Sequence, residues 1–106
     1  MNINIKNGVI LDNLSQISFR AIFVCAEVFQ KRNLDLTITS TTEKAKGRLQ
    51  DSFHYSGDAF DIRNRRIPEV IQFKLVEELK KELHKISTRF QVIKKDTHIH
   101  IEFDWR

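Results

Sequence analysis

Residues 68–103 read PEVIQFKLVEELKKELHKISTRFQVIKKDTHIHIEF. Within this stretch Ile71, Leu75, Leu79 and Leu83 recur every four residues with Val76 alongside, while Glu77, Lys80, Lys81 and Lys85 fall on the opposite side. That spacing predicts an amphipathic helix, and Pro68 suits its first turn, where a missing N–H costs nothing. Two alternating segments follow, Arg89–Lys94 and Thr97–Phe103, joined by a tight connection at Lys95-Asp96. They predict two strands.

The rest of the chain extends the same pattern. From about Leu14 to Lys31, Ile17, Ala21, Val24, Cys25 and Val28 form one apolar stripe at helical spacing, with Phe29 beside them. Asn33 suits the end of that helix because it tolerates left-handed backbone. Leu34–Thr39 alternates apolar and polar residues as a half-buried strand does, and a short strand is expected around Ala59–Ile62. Residues 3–10 read as a short strand or hairpin arm broken by Asn7-Gly8. Residues 40–53 are polar and aperiodic, a connection longer than most, and such loops tend to carry function. The expectation is a single α+β domain over residues 1–106, with a small antiparallel sheet of about four strands packed against two helices.

Composition narrows the class. The chain has 106 residues, 41% hydrophobic and 30% charged, with three Gly and one Pro, which argues against disorder and low complexity. No stretch approaches the roughly 18 apolar residues of a membrane span. The start, M-N-I-N-I-K-N-G, has no basic region leading into an apolar run, so no signal peptide is expected and synthesis is expected to be cytoplasmic. The single cysteine, Cys25, cannot form an internal disulfide and reads as a buried structural thiol. The net charge of +4 suits nucleic acid, a membrane surface or an anionic polymer such as a cell wall, without choosing among them.

Chemistry concentrates in two polar clusters, Ser52–Asp61 (SFHYSGDAFD) and Asp96–Glu102 (DTHIHIE), which hold three of the four histidines. In a strand, Thr97, Ile99, Ile101 and Phe103 would share the core face, leaving Asp96, His98, His100 and Glu102 on the other. A one-sided sheet also shows such alternation, so the His-x-His is not decisive alone. In the first cluster, Gly57 permits a tight turn and small Ala59 permits close packing, so His54 and Asp61 can converge on one ion. Adding an imidazole from the strand gives two nitrogens and one carboxylate oxygen, the ligand count of a catalytic zinc site with an open fourth position. His84 sits near a helix end, where a cation meets the helix dipole. Trp105 is expected to cover a sheet edge or lie exposed.

The pattern S-x-H-x-x-G-x-A-x-D, present as Ser52, His54, Gly57, Ala59 and Asp61, resembles the zinc signature of the D-Ala-D-Ala carboxypeptidase superfamily. That group includes phage endolysins, vancomycin-resistance dipeptidases, LAS murein endopeptidases and the hedgehog signalling domain. His98-x-His100 followed by an acidic residue resembles the ending of its LAS and hedgehog branch, and the resemblance spans roughly residues 34–104. It implies His54, Asp61 and His100 as zinc ligands. It also implies His98 as a catalytic or transition-state-stabilising group, with Asp96 as the alternative base. The carboxypeptidase branch places an acidic residue three before the last ligand, where this chain has Thr97.

For the substrate carboxylate the resemblance implies a cation upstream of the first ligand, for which Arg48 and Lys46 are the candidates. Ser52 matches a position near the substrate, and Tyr55 is a candidate cleft residue. The activity implied is zinc-dependent hydrolysis of peptidoglycan peptides, stem or cross-bridge, as carboxypeptidase or endopeptidase. The expected protein is a monomer of a bacterium or phage, acting on the wall after release or from a virion. The rival is a hedgehog-like zinc domain that recognises without turnover. A nucleic-acid-binding domain ranks last, because it leaves the clustered histidines and Asp61 unexplained.

Overall fold

A computed structural model describes residues 2–43 and 52–106. In order, the elements are β1 (Ile3–Ile5), α1 (Gln16–Lys31), β2 (Leu36–Ser40), β3 (Ala59–Arg63), α2 (Glu69–His84), β4 (Phe90–Lys94) and β5 (His98–Phe103).

Both helices form where the apolar spacing predicts them. Ser15 caps α1, its hydroxyl accepting the Ser18 N–H at 3.3 Å. At the other end Asn33 turns left-handed (φ 55°), and the Leu34 N–H bonds the Phe29 carbonyl at 2.9 Å. Pro68 precedes α2, whose buried side is Leu75, Val76, Leu79 and Leu83. His84, in the last turn of α2, donates to the Phe90 carbonyl at 2.8 Å.

The α+β class is as expected, and the sheet is larger than expected. It has five strands in the order β1-β2-β3-β5-β4, and β1 pairs with β2 in parallel while all other pairs are antiparallel. A parallel pair needs a long crossover, and α1 supplies it. Three residues of β1 are too few to show a period, which is why the sequence reads the segment only as a strand or hairpin arm.

The helices cover one face of the sheet. Phe29, Leu36, Ile38, Phe60, Ile62, Leu75, Leu79, Ile99 and Ile101 are all buried in one cluster there. Each such side chain contributes about 1.5–3 kcal/mol of apolar burial. Cys25 lies inside this core, and burial pushes its thiol pKa far up, so it packs as a small apolar group. The opposite sheet face carries the polar members of the same strands.

Candidate metal centre

Asp61 in β3 pairs directly with His100 in β5 in the middle of the sheet, and Arg63 pairs with His98 one step further along. Strand alternation sends Ile62, Ile99 and Ile101 into the core and turns Asp61, His98, His100 and Glu102 to the other face. His54 reaches the same place from the turn that precedes β3.

That turn is held by its backbone. The Ser52 hydroxyl accepts the His54 N–H at 3.2 Å, the Gly57 N–H bonds the His54 carbonyl at 3.1 Å, and the Asp58 N–H bonds the Phe53 carbonyl at 2.9 Å. Gly57 has φ 80°, and a Cβ there would stand 2.2 Å from the Asn13 carbonyl oxygen. No other residue type fits. The Gly57 carbonyl in turn accepts from the Ser15 N–H at 3.0 Å and the Ser18 hydroxyl at 2.7 Å, so the start of α1 fixes the loop. Behind it, Phe53 meets Trp105 edge-on and lies under the Arg106 guanidinium. Trp105 itself is mostly exposed.

The result is a buried carboxylate among three imidazoles. Asp61 Oδ1 lies 3.3 Å from His54 Nε2 and 2.9 Å from His100 Nδ1, and Oδ2 lies 3.6 Å from His98 Nε2. Ligand atoms of His54, Asp61 and His100 all fall within 4.8 Å of one another, and all three residues are buried. This group could hold a metal ion.

The second nitrogen of each ligand histidine is tied. His54 Nδ1 donates to the Thr41 carbonyl at 2.8 Å, and His100 Nε2 faces Glu102 Oε1 at 2.7 Å. The two rings therefore offer opposite nitrogens to the centre, Nε2 from His54 and Nδ1 from His100. Such outer partners orient metal-binding imidazoles and raise their basicity. With Nδ1–H committed to Thr41, a neutral His54 would point its Nε2 lone pair at a carboxylate oxygen 3.3 Å away. Two acceptors facing each other in a buried site need a proton or a cation between them. The donor set of two nitrogens and one oxygen fits a catalytic type of zinc site.

The charges follow the geometry. Burial works against ionised Asp61, yet hydrogen bonds from His100 and His54 and the nearby charge of His54 and His98 hold its pKa below the usual carboxylate range. Burial likewise opposes a charged His100, but the hydrogen bonds to Asp61 and Glu102 win and raise its pKa. His98 goes the other way. Burial lowers its pKa, Asp61 pulls it back only in part, and Lys95 and the other two histidines lower it further. Its side chain is about one quarter exposed, and the Thr97 hydroxyl meets its Nδ1 at 2.9 Å. His98 is thus a solvent-reachable imidazole beside the triad, biased by its surroundings toward the neutral form.

The other expected residues divide. Asp96 sits exposed in the β4–β5 turn, because β5 begins only at His98, and among the described residues it makes no bond to the triad. Ser52 is a positioning group for the His54 loop. Tyr55 is half-buried in the same turn. Lys46 and Arg48 lie outside the described residues. Sequence reasoning gave no role to Glu102 or to the Thr41 carbonyl. Glu102 carried a signal, two residues from His100 on one strand face, whereas a backbone carbonyl carries none. Comparisons with protein-family models, with curated proteins and with solved structures found no match.

Proposed function

We propose that this protein is a zinc-dependent peptidase acting on the peptides of bacterial peptidoglycan. The observation that carries the reading is the buried His54–Asp61–His100 group, in which each imidazole turns one nitrogen toward the Asp61 carboxylate while the other is bonded to Thr41 or Glu102. The S-x-H-x-x-G-x-A-x-D and His-x-His patterns, which resemble those of D-Ala-D-Ala carboxypeptidases and their relatives, supply the substrate class.

His54, Asp61 and His100 would hold a zinc ion, which would supply a Lewis acid for a peptide carbonyl and an acidified water near neutral pH. The remaining work falls to the chain. His98 takes a proton from the attacking water at Nε2 and returns it to the leaving amine, a task suited to an imidazole whose pKa burial lowers. Thr97 holds that ring from its other nitrogen. Glu102 and Thr41 keep the ligand rings in place. The net positive charge favours approach to an anionic wall, after release from the cell or from a virion.

A second reading, a zinc domain that recognises without turnover, is favoured by one observation. The two carboxylates nearest the centre, Asp61 and Glu102, are both bonded to His100, so neither is free to act as the base. Digestion of purified peptidoglycan decides between them. Zinc-loaded protein is expected to release new amino groups, and chelated protein none. Intact wall in the presence of fully zinc-loaded protein would refute the peptidase reading.

A further inference from the structure

The face that bears the triad continues into a cationic groove. A cavity of about 380 Å³ lies at the far end of β2 and β3, lined among others by Asn4, Asp35, Thr37, Arg63, Arg65 and Arg66. Sheet register places it relative to the metal centre. Asn4 pairs with Thr37, the pairing of Ile38 with Ile62 brings Thr37 toward Arg63, and Arg63 pairs with His98. These residues form one row across β1, β2, β3 and β5, next to the row that holds Asp61 and His100.

Three arginines and Asp35 line the groove, Arg63 half-buried and Arg65 and Arg66 exposed, and among the described residues none of the four forms an ion pair. The groove therefore has an excess of two positive charges with no internal counter-ion. Arg66 also holds a left-handed backbone (φ 70°), a conformation that glycine or asparagine adopts at lower cost.

We propose that this groove is an oxyanion subsite, which takes a carboxylate or phosphate group on a ligand whose adjoining part lies over the metal centre. Guanidinium forks match pairs of oxygens on either group, and Asn4 and Thr37 add neutral hydrogen-bonding side chains to the lining. Asp61 and Arg63 are two residues apart on one strand face, a rise of about 6.6 Å. The groove therefore adjoins the candidate metal centre along β3. Oxyanion binding itself needs no metal, while its service as a substrate subsite rests on the peptidase reading above.

Titration of His54→Ala protein with inorganic phosphate and, separately, with succinate tests the proposal, read by calorimetry and by NMR of the arginine side chains. The His54 variant removes the metal centre as a competing anion site. Saturable binding of at least one anion is expected, weakened about tenfold or more in an Arg63→Gln/Arg66→Gln background, since each lost bond to a charged group has a large effect. Stronger binding of phosphate identifies a phosphorylated ligand, and stronger binding of succinate a carboxylate. The proposal falls if neither anion binds saturably, or if the arginine substitutions leave the affinity unchanged in a variant whose circular dichroism is native. The zinc content of Arg63→Gln/Arg66→Gln protein with His54 intact separates the two readings. Retained zinc with lost anion affinity marks the groove as an independent site, whereas arginine-dependent anion binding in a protein that takes up no zinc removes the peptidase reading and leaves the subsite standing.

Discussion

Replacing Glu102 by Gln removes one charge and leaves the shape and one acceptor, so it isolates what the carboxylate does for His100. The contact is 2.7 Å long and both side chains are largely buried, 11% and 19% exposed. A hydrogen bond of this kind to a charged group contributes about 1.5–3 kcal/mol. Its pH dependence has a definite sign. Because the folded protein raises the His100 pKa, the stabilisation is fully present below the unfolded value near ~6.5 and fades as pH rises through the folded value. Thermal unfolding of metal-free Glu102→Gln protein should therefore show its largest deficit at about pH 5–6 and a smaller one at about pH 8–9.

Zinc affinity moves oppositely. At high pH the ring has no proton to lose, so the variant shows the full loss of ligand basicity, about 10–100-fold. At low pH the parent must first expel a proton from His100, and part of its advantage disappears. Competition with a chromophoric chelator at two pH values reads both numbers. Equal zinc affinity for parent and variant at high pH would refute the role given to Glu102, and a stability deficit that grows with pH would refute the charge assignment of His100.

Three further outcomes follow from the same geometry. His54→Ala should reduce zinc from about one ion per chain to near zero by atomic emission, with the fold retained by circular dichroism. His98→Gln should keep that zinc while lowering kcat on peptidoglycan about 10²–10⁴-fold, the usual share of a general base; unchanged turnover would move the proton transfer elsewhere. Gly57→Ala must displace the Asn13 carbonyl, 2.2 Å from the added Cβ, and hold a φ of 80°. We expect a loss of about 2 kcal/mol or more, seen as a fall in Tm of roughly 10 °C for a domain this size, together with weaker zinc binding because His54 rides on that loop.

The helices were legible because Leu75, Leu79 and Leu83, and likewise Ala21, Cys25 and Val28, repeat at a period that only one backbone shape satisfies. The alternation of β5 was equally plain, and it foretold which face His98 and His100 would share. β1 was not, since its parallel pairing with β2 depends on a crossover through α1 and leaves no mark in three residues. Within the centre, the identity of the triad was readable from residue types. Its orientation was not: the Thr41 carbonyl reaches His54 just beyond an irregularity in the β2–β3 register, between Ile38 and Ser40. Asp96 illustrates the limit of alternation, because the pattern continues in sequence past the point where the strand ends.

β5 lies between β3 and β4, with hydrocarbon on one side of it and imidazole on the other. A slip of one residue against β3 would drive His98 and His100 in among the leucines and expose Ile99 and Ile101. The error would thus be penalised twice, by buried polar rings and by stranded apolar ones. A chain that has folded correctly has, by the same act, set His100 opposite Asp61, so strand alignment and assembly of the candidate metal group are one event.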